Sequence, residues 1–220
     1  MAKQSPAPVR EPGRAAAFSD AVVAVAMTAL VLPLLDIDFS SVNNLGQLWS
    51  AFGDQFSAFF LSFFIIAVYW MVHHKVWFVV RTVTPLLLWL NVLWLLGILL
   101  IPFASITIYE TKGFPTLGFQ LYSAVVFYVS LTLGLMIYLI MSRAELNVGG
   151  VVTPPWWYPL RFAFWWLLVF IACLVNAEGI GQYLLEWSAI PMVILGTWQP
   201  ASVKRAAAQL RDSGQGVLLE

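Results

Sequence analysis

Few residues in this sequence can do chemistry, and most of them sit in apolar surroundings. Asp20 lies in the run Arg14-Ala-Ala-Ala-Phe18-Ser19-Asp20, which opens a stretch of alanine and valine ending at Leu32-Pro33. A carboxylate inside an apolar segment is costly unless it meets a partner or water. The candidate partners are Arg14, His73, His74, Lys75 and Asn91. A helix dipole would help an acid only within the first turn, and Asp20 is about two turns in. Thr28 is the one hydroxyl on the helical face formed by positions 18, 21/22, 25, 28/29 and 32. That face otherwise reads Phe18, Ala21/Val22, Val25, Ala29 and Leu32, apolar and rich in small side chains that let helices approach closely. Asp36 and Asp38 follow Pro33 as a short acidic loop.

The elements that must position these residues are membrane helices. Of 220 residues, 61% are hydrophobic and 10% charged. Soluble domains run near 45–50% apolar and about 25% charged, so a soluble enzyme or binding module is excluded. The net charge is zero, which gives no footing for a nucleic-acid partner. Six apolar stretches are read at about 15–35, 45–74, 85–106, 117–141, 159–175 and 182–198. They are continuous and mostly near the roughly 20 residues that a helix needs to cross a bilayer, whereas barrel strands are about half as long and alternate. The expected fold is therefore all-α and integral to the membrane, with six transmembrane helices per chain. A polar, Pro-rich tail over 1–13 precedes a six-helix membrane domain at 14–200, and a polar tail follows over 201–220. No cleavable signal peptide is expected in the polar start.

Lys and Arg placement orients the helices. Lys3, Arg10, Arg14, Lys75, Arg81, Arg143, Arg161, Lys204, Arg205 and Arg211 fall on one side of a six-span arrangement. The other side holds Lys112 with Asp36, Asp38, Asp54, Glu110, Glu178 and Glu186. Both termini are then cytosolic. Trp49, Trp70, Trp77, Trp156, Trp157, Trp187 and Trp198 fall near span ends, at headgroup depth, while Trp89, Trp94, Trp165 and Trp166 read as packing residues. Cys173, inside an apolar run, reads as a small buried hydrophobe.

Three other classes can be weighed. A secondary transporter would show paired, interrupted spans; Pro191 interrupts the sixth stretch, with no matching break in another half. A metal site joining His73-His74 to Asp36 and Asp38 would have to cross the membrane, and adjacent histidines point to different faces of a helix. A non-conducting scaffold stays open.

The pattern Arg-x-x-x-Phe-Ser-Asp at Arg14, Phe18, Ser19 and Asp20, opening an Ala/Val helix with Thr28 one turn before Leu32, resembles the transmembrane protein 175 family of lysosomal potassium channels, and its bacterial members most. His73-His74, Asn91 and Ile101-Pro102-Phe103 extend the resemblance over residues 14–105. It implies a potassium-selective channel that works without the Thr-Val-Gly-Tyr-Gly filter, and none occurs here. It implies a homotetramer in the bacterial inner membrane, with the first helix of each subunit lining a central pore and potassium as the permeant ion, with no cofactor. Carried over by position, Val25, Ala29 and Leu32 would be apolar rings of the constriction and Thr28 a hydroxyl layer. Val25 and Ala29 are smaller than the side chains common there, which implies a wider neck. Arg14, Phe18, Ser19, Asp20, His73, His74 and Asn91 would form a cytosolic structural and gating network, and Asp36 and Asp38 would be acids at the pore mouth.

Overall fold

The computed structural model describes residues 12–111, 117–148, 155, 157–175 and single positions between 183 and 194. Six helices are defined there. They are α1 (Pro12–Ala29), α2 (Leu32–Leu35), α3 (Leu45–Phe78), α4 (Pro85–Glu110), α5 (Leu117–Ser142) and α6 (Arg161–Leu174). A 3-10 turn at Phe39–Ser41 links α2 to α3. Among the described residues there is no strand beyond an isolated bridge between Val80 and Asn147.

Four segments are long and apolar enough to cross a membrane: Pro12–Leu35, Leu45–Phe78, Pro85–Glu110 and Leu117–Ser142. They correspond to the first four expected spans, with two differences of extent. The first does not run unbroken to residue 35. It turns at Leu30–Val31, where Val31 N–H donates to the Thr28 carbonyl at 3.1 Å, and restarts as the single turn α2 around Pro33. Proline has no N–H to continue the ladder but is tolerated in a first turn. The second span is longer than read: its 34 residues reach about 51 Å at 1.5 Å each, against a hydrocarbon core of about 30 Å. The fifth stretch appears as α6, 14 residues long and about 21 Å, an apolar helix shorter than a full crossing. The sixth stretch, at 182–198, and both tails lie largely or wholly outside the described residues.

Local chemistry sets the helix starts. Asn44 Oδ1 accepts from the Gln47 N–H at 2.9 Å and caps α3, while Gln47 Oε1 accepts from the Asn43 N–H at 2.8 Å. Thr84 caps α4 through the Leu87 N–H, with Pro85 in the first turn. Within α4, Pro102 removes one ladder bond.

α4 and α5 share the largest interface, α5 packs next on α6, and α1 lies against α4 and α3. Glycines let α5 come close. A Cβ at Gly118 would stand 2.0 Å from the Thr107 carbonyl oxygen of α4, and one at Gly97 would stand 2.6 Å from a Val129 methyl. Buried hydroxyls pair across the seam between α3 and α5: Ser62 with Tyr122 at 3.0 Å, and Tyr69 with Ser130. Each is satisfied by a partner, as a dry interior demands. Cys173 is fully buried, as its apolar run implied.

The bundle has two electrostatically distinct ends. The Val80–Asn147 bridge, with Arg81 N–H donating to the Leu146 carbonyl at 2.7 Å, joins the loops after α3 and α5. Lys75, Arg81 and Arg143 flank it. At the opposite end Asp36 and Glu110 line one cavity. Of the residues that sequence assigned to separate sides, Lys75, Arg81 and Arg143 thus lie at the end opposite Asp36 and Glu110.

Candidate functional site

α1 presents two unlike faces. Ser19, Val23, Ala26 and Leu30 are buried against α3 and α4. Arg14, Phe18, Ala21, Val25, Thr28, Leu32 and Leu35 are exposed. Arg14, Phe18, Ala21, Val25 and Thr28 alternate in steps of four and three residues and so form one stripe along α1, which Leu32 and Leu35 of α2 continue beyond the turn. Val25 and Leu32 are 61% and 60% exposed, and Ala29 sits half-buried at the edge of the stripe. Thr28 Oγ1 donates to the Val25 carbonyl at 2.8 Å. Its proton is thereby turned into the helix, which leaves the oxygen lone pairs pointing outward as acceptors.

The buried face ends in a polar latch. Asn91 of α4 donates from Nδ2 to Ser19 Oγ at 2.9 Å, and Ser19 Oγ lies 2.9 Å from its own helix's Ala15 carbonyl. Asn91 Oδ1 meets His73 Nε2 at 2.8 Å, and Trp77 Nε1–H donates to the same His73 nitrogen at 2.9 Å. His73 is fully buried and stacks on Trp94 with ring centroids 3.9 Å apart and planes 5° apart. A neutral imidazole cannot satisfy every neighbour. With a proton on Nε2 it serves Asn91 and faces the Trp77 N–H unfavourably. With the proton on Nδ1 that N–H has no hydrogen-bond partner.

One turn outward, Asp20 Oδ1 accepts from Trp70 Nε1–H at 2.8 Å, and Asp20 Oδ2 lies 3.8 Å from His74 Nδ1. Of the partners that the sequence suggested for Asp20, the structure selects His74. Arg14 and Lys75 form no ion pair with it among the described residues. The two adjacent histidines serve different faces: His73 joins Ser19 and Asn91, and His74 joins Asp20. Arg14 and Phe18, expected in the same network, point away from it on the exposed stripe.

Sequence reasoning missed three indoles. Trp70 and Trp77, read as interfacial anchors, carry hydrogen bonds in this junction, and Trp77 is buried. Trp89, read as a packing residue, is exposed. The available signal was spacing: Trp70, His73, His74 and Trp77 recur at i+3 and i+4 on α3, where they share neighbouring faces. Among the described residues no cluster of three or more metal-ligating side chains occurs.

The two acids expected at a pore mouth differ. Asp38 caps the 3-10 turn by accepting from the Ser40 N–H at 2.9 Å, and this backbone hydrogen bond, with one from the Ser40 side chain, holds its carboxyl below the usual aspartate range. Asp36 lies in the cavity shared with Glu110.

Residues 14–102, which hold the stripe, the latch and Asp20, match the model of the family described as endosomal/lysosomal potassium channel TMEM175. Over these residues the chain is similar to the TMEM175 family. Similar proteins include one from Streptomyces collinus, 36% identical over 105 residues, covering 46% of this chain and 50% of the relative. Another, from a Chryseobacterium species, is 34% identical over 93 residues, covering 42% and 46%. A third, from Chamaesiphon minutus, is 32% identical over 102 residues, covering 46% and 50%. All three bear names that begin "Potassium channel". The chain spans about half the length of the curated relatives it matches. The matched segment thus takes in nearly all of α1, all of α2 and α3, and most of α4, and so holds the three helices that the polar latch ties together.

Proposed function

We propose that this chain is one subunit of a potassium channel, a passive pore and not an enzyme. The observation that carries the reading is the unpartnered stripe of α1. Its opposite face is fixed to α3 and α4 by apolar packing and the Ser19–Asn91–His73 latch, so the stripe is held rigidly and left open. The family match and the names of the relatives support the same reading.

In the proposed assembly four copies place their α1 stripes around one axis. Each subunit contributes six spans, with α6 as part of the fifth and residues 182–198 as the sixth. Residues 14–200 form the channel domain, between cytosolic tails at 1–13 and 201–220, in a bacterial plasma membrane. Val25, Ala29 and Leu32 give apolar rings that dewet when narrow. Thr28 supplies four outward oxygen lone-pair sets that replace part of an ion's hydration shell. Potassium gives up that shell at lower cost than sodium, so a neck of this kind favours it without a carbonyl filter. Asp36 raises the local cation concentration at the mouth, and Asp38 contributes at the same end while holding its turn. Arg14, Phe18 and Asp20 occupy the cytosolic end, where the junction with His73, His74 and Asn91 sets the position of α1.

The stripe could instead face lipid, and one experiment separates the two. In liposomes loaded with potassium, dye-reported efflux is measured for the wild type, Val25→Asn and Phe103→Asn, the last on an exposed position of α4. The pore reading expects Val25→Asn to change the efflux rate at least several-fold and Phe103→Asn to leave it within about twofold. Equal responses would place the stripe in lipid.

A further inference from the structure

At the acidic end of the bundle a cavity of about 480 Å³ opens between the end of α1–α2, the first turns of α3 and the last turn of α4. Asp36 and Glu110, both exposed, stand at its rim. Phe52 and Tyr109 give aromatic wall, and Leu32 gives apolar wall. The Gln55 side-chain oxygen, also in the lining, is buried and has no hydrogen-bond partner. An amide oxygen removed from water with nothing donating to it is costly, and a donor entering the cavity would relieve that cost. Glu110 also ends a 26-residue helix, whose C-terminal carbonyls add negative potential.

We propose that this cavity is a binding site for an organic ammonium ion carrying an apolar body. Every charged or polar feature calls for a cationic donor: two carboxylates, a helix C-terminus and an orphan amide oxygen. Aromatic faces attract the same charge. Two carboxylates are too few to strip and hold a bare metal ion, and the volume is that of a small-molecule site. The apolar wall then takes the ligand's hydrocarbon part. Such a ligand would touch Leu32, the outermost ring of the proposed constriction. The binding itself does not depend on conduction, so its test stands or falls separately from the channel reading.

The test uses the purified full chain in detergent micelles, titrated with 2-phenylethylammonium and followed by saturation-transfer NMR, with empty micelles subtracted. Saturable binding is expected. The uncharged isostere 2-phenylethanol, tested on the unaltered protein, is expected to bind at least tenfold more weakly. The Asp36→Asn, Glu110→Gln double variant is expected to lose at least tenfold in affinity. Asp54→Asn, an exposed acid outside the cavity lining, is expected to change it less than twofold. Absence of saturable binding, equal binding of the alcohol, or unchanged affinity in the double variant would each overturn the proposal.

Discussion

Replacing His73 with alanine is expected to destabilise the protein by about 4 kcal/mol, whereas the same change at His74 costs less than about 1 kcal/mol. The two residues are neighbours of one type, and only their surroundings differ. His73 is fully buried, stacked on Trp94, and is the meeting point for Asn91 Oδ1 and the Trp77 N–H. Its removal opens a cavity against the indole and strands two buried polar groups, each worth about 1–3 kcal/mol when unsatisfied. His74 is 41% exposed and lies 3.8 Å from an Asp20 carboxylate that is 36% exposed. Pairs of that kind contribute little because water and salt screen them. His73→Phe separates the two contributions. It restores the ring on Trp94 but not the hydrogen bonds, and should recover about 1–2 kcal/mol of the loss. Chemical unfolding in micelles measures all three. Equal costs at 73 and 74 would contradict the latch.

The second large effect is expected at Gly118. An alanine Cβ there would sit 2.0 Å from the Thr107 carbonyl oxygen, 2.6 Å from its carbon and 2.6 Å from Thr111 Oγ1. The first two are backbone atoms, so no rotamer change relieves the clash. α4 and α5 must part along the largest interface of the bundle. A cost at the upper end of the overpacking range, about 3 kcal/mol or more, is expected. Gly97→Ala meets only side-chain atoms, of Val129 and Tyr128, and should cost about 1–2 kcal/mol. The ranking Gly118 above Gly97 is read from thermal midpoints in micelles, and the reverse order would contradict the tight backbone approach of α5 to α4 at Thr107.

Much of this arrangement is legible in the sequence because bilayer physics leaves few choices. Hydropathy located the first four spans, and Lys/Arg placement separated the basic residues around Lys75, Arg81 and Arg143 from Asp36 and Glu110. Periodicity singled out the α1 face with Val25, Thr28 and Leu32, and the structure leaves that face open. The partners of Asp20 were less legible. Several basic side chains were within reach in sequence terms, and only the rotation of α3 against α1 selects His74 and adds Trp70. Composition also could not tell a tryptophan at headgroup depth from one that donates to a histidine, since both sit near the end of a helix. The turn at Leu30–Val31 escaped notice because Leu32-Pro33 reads equally well as the last turn of one helix or the first of the next.

The measurement that bears most directly on the central claim is a bi-ionic reversal potential in liposome-fused bilayers, with potassium on one side and sodium on the other. The account predicts a reversal potential displaced toward the potassium equilibrium value, and a smaller displacement when Thr28 is changed to valine or Leu32 to asparagine. A displacement that both substitutions leave untouched would remove selectivity from the α1 stripe, and a chain that passes no current would contradict the channel itself.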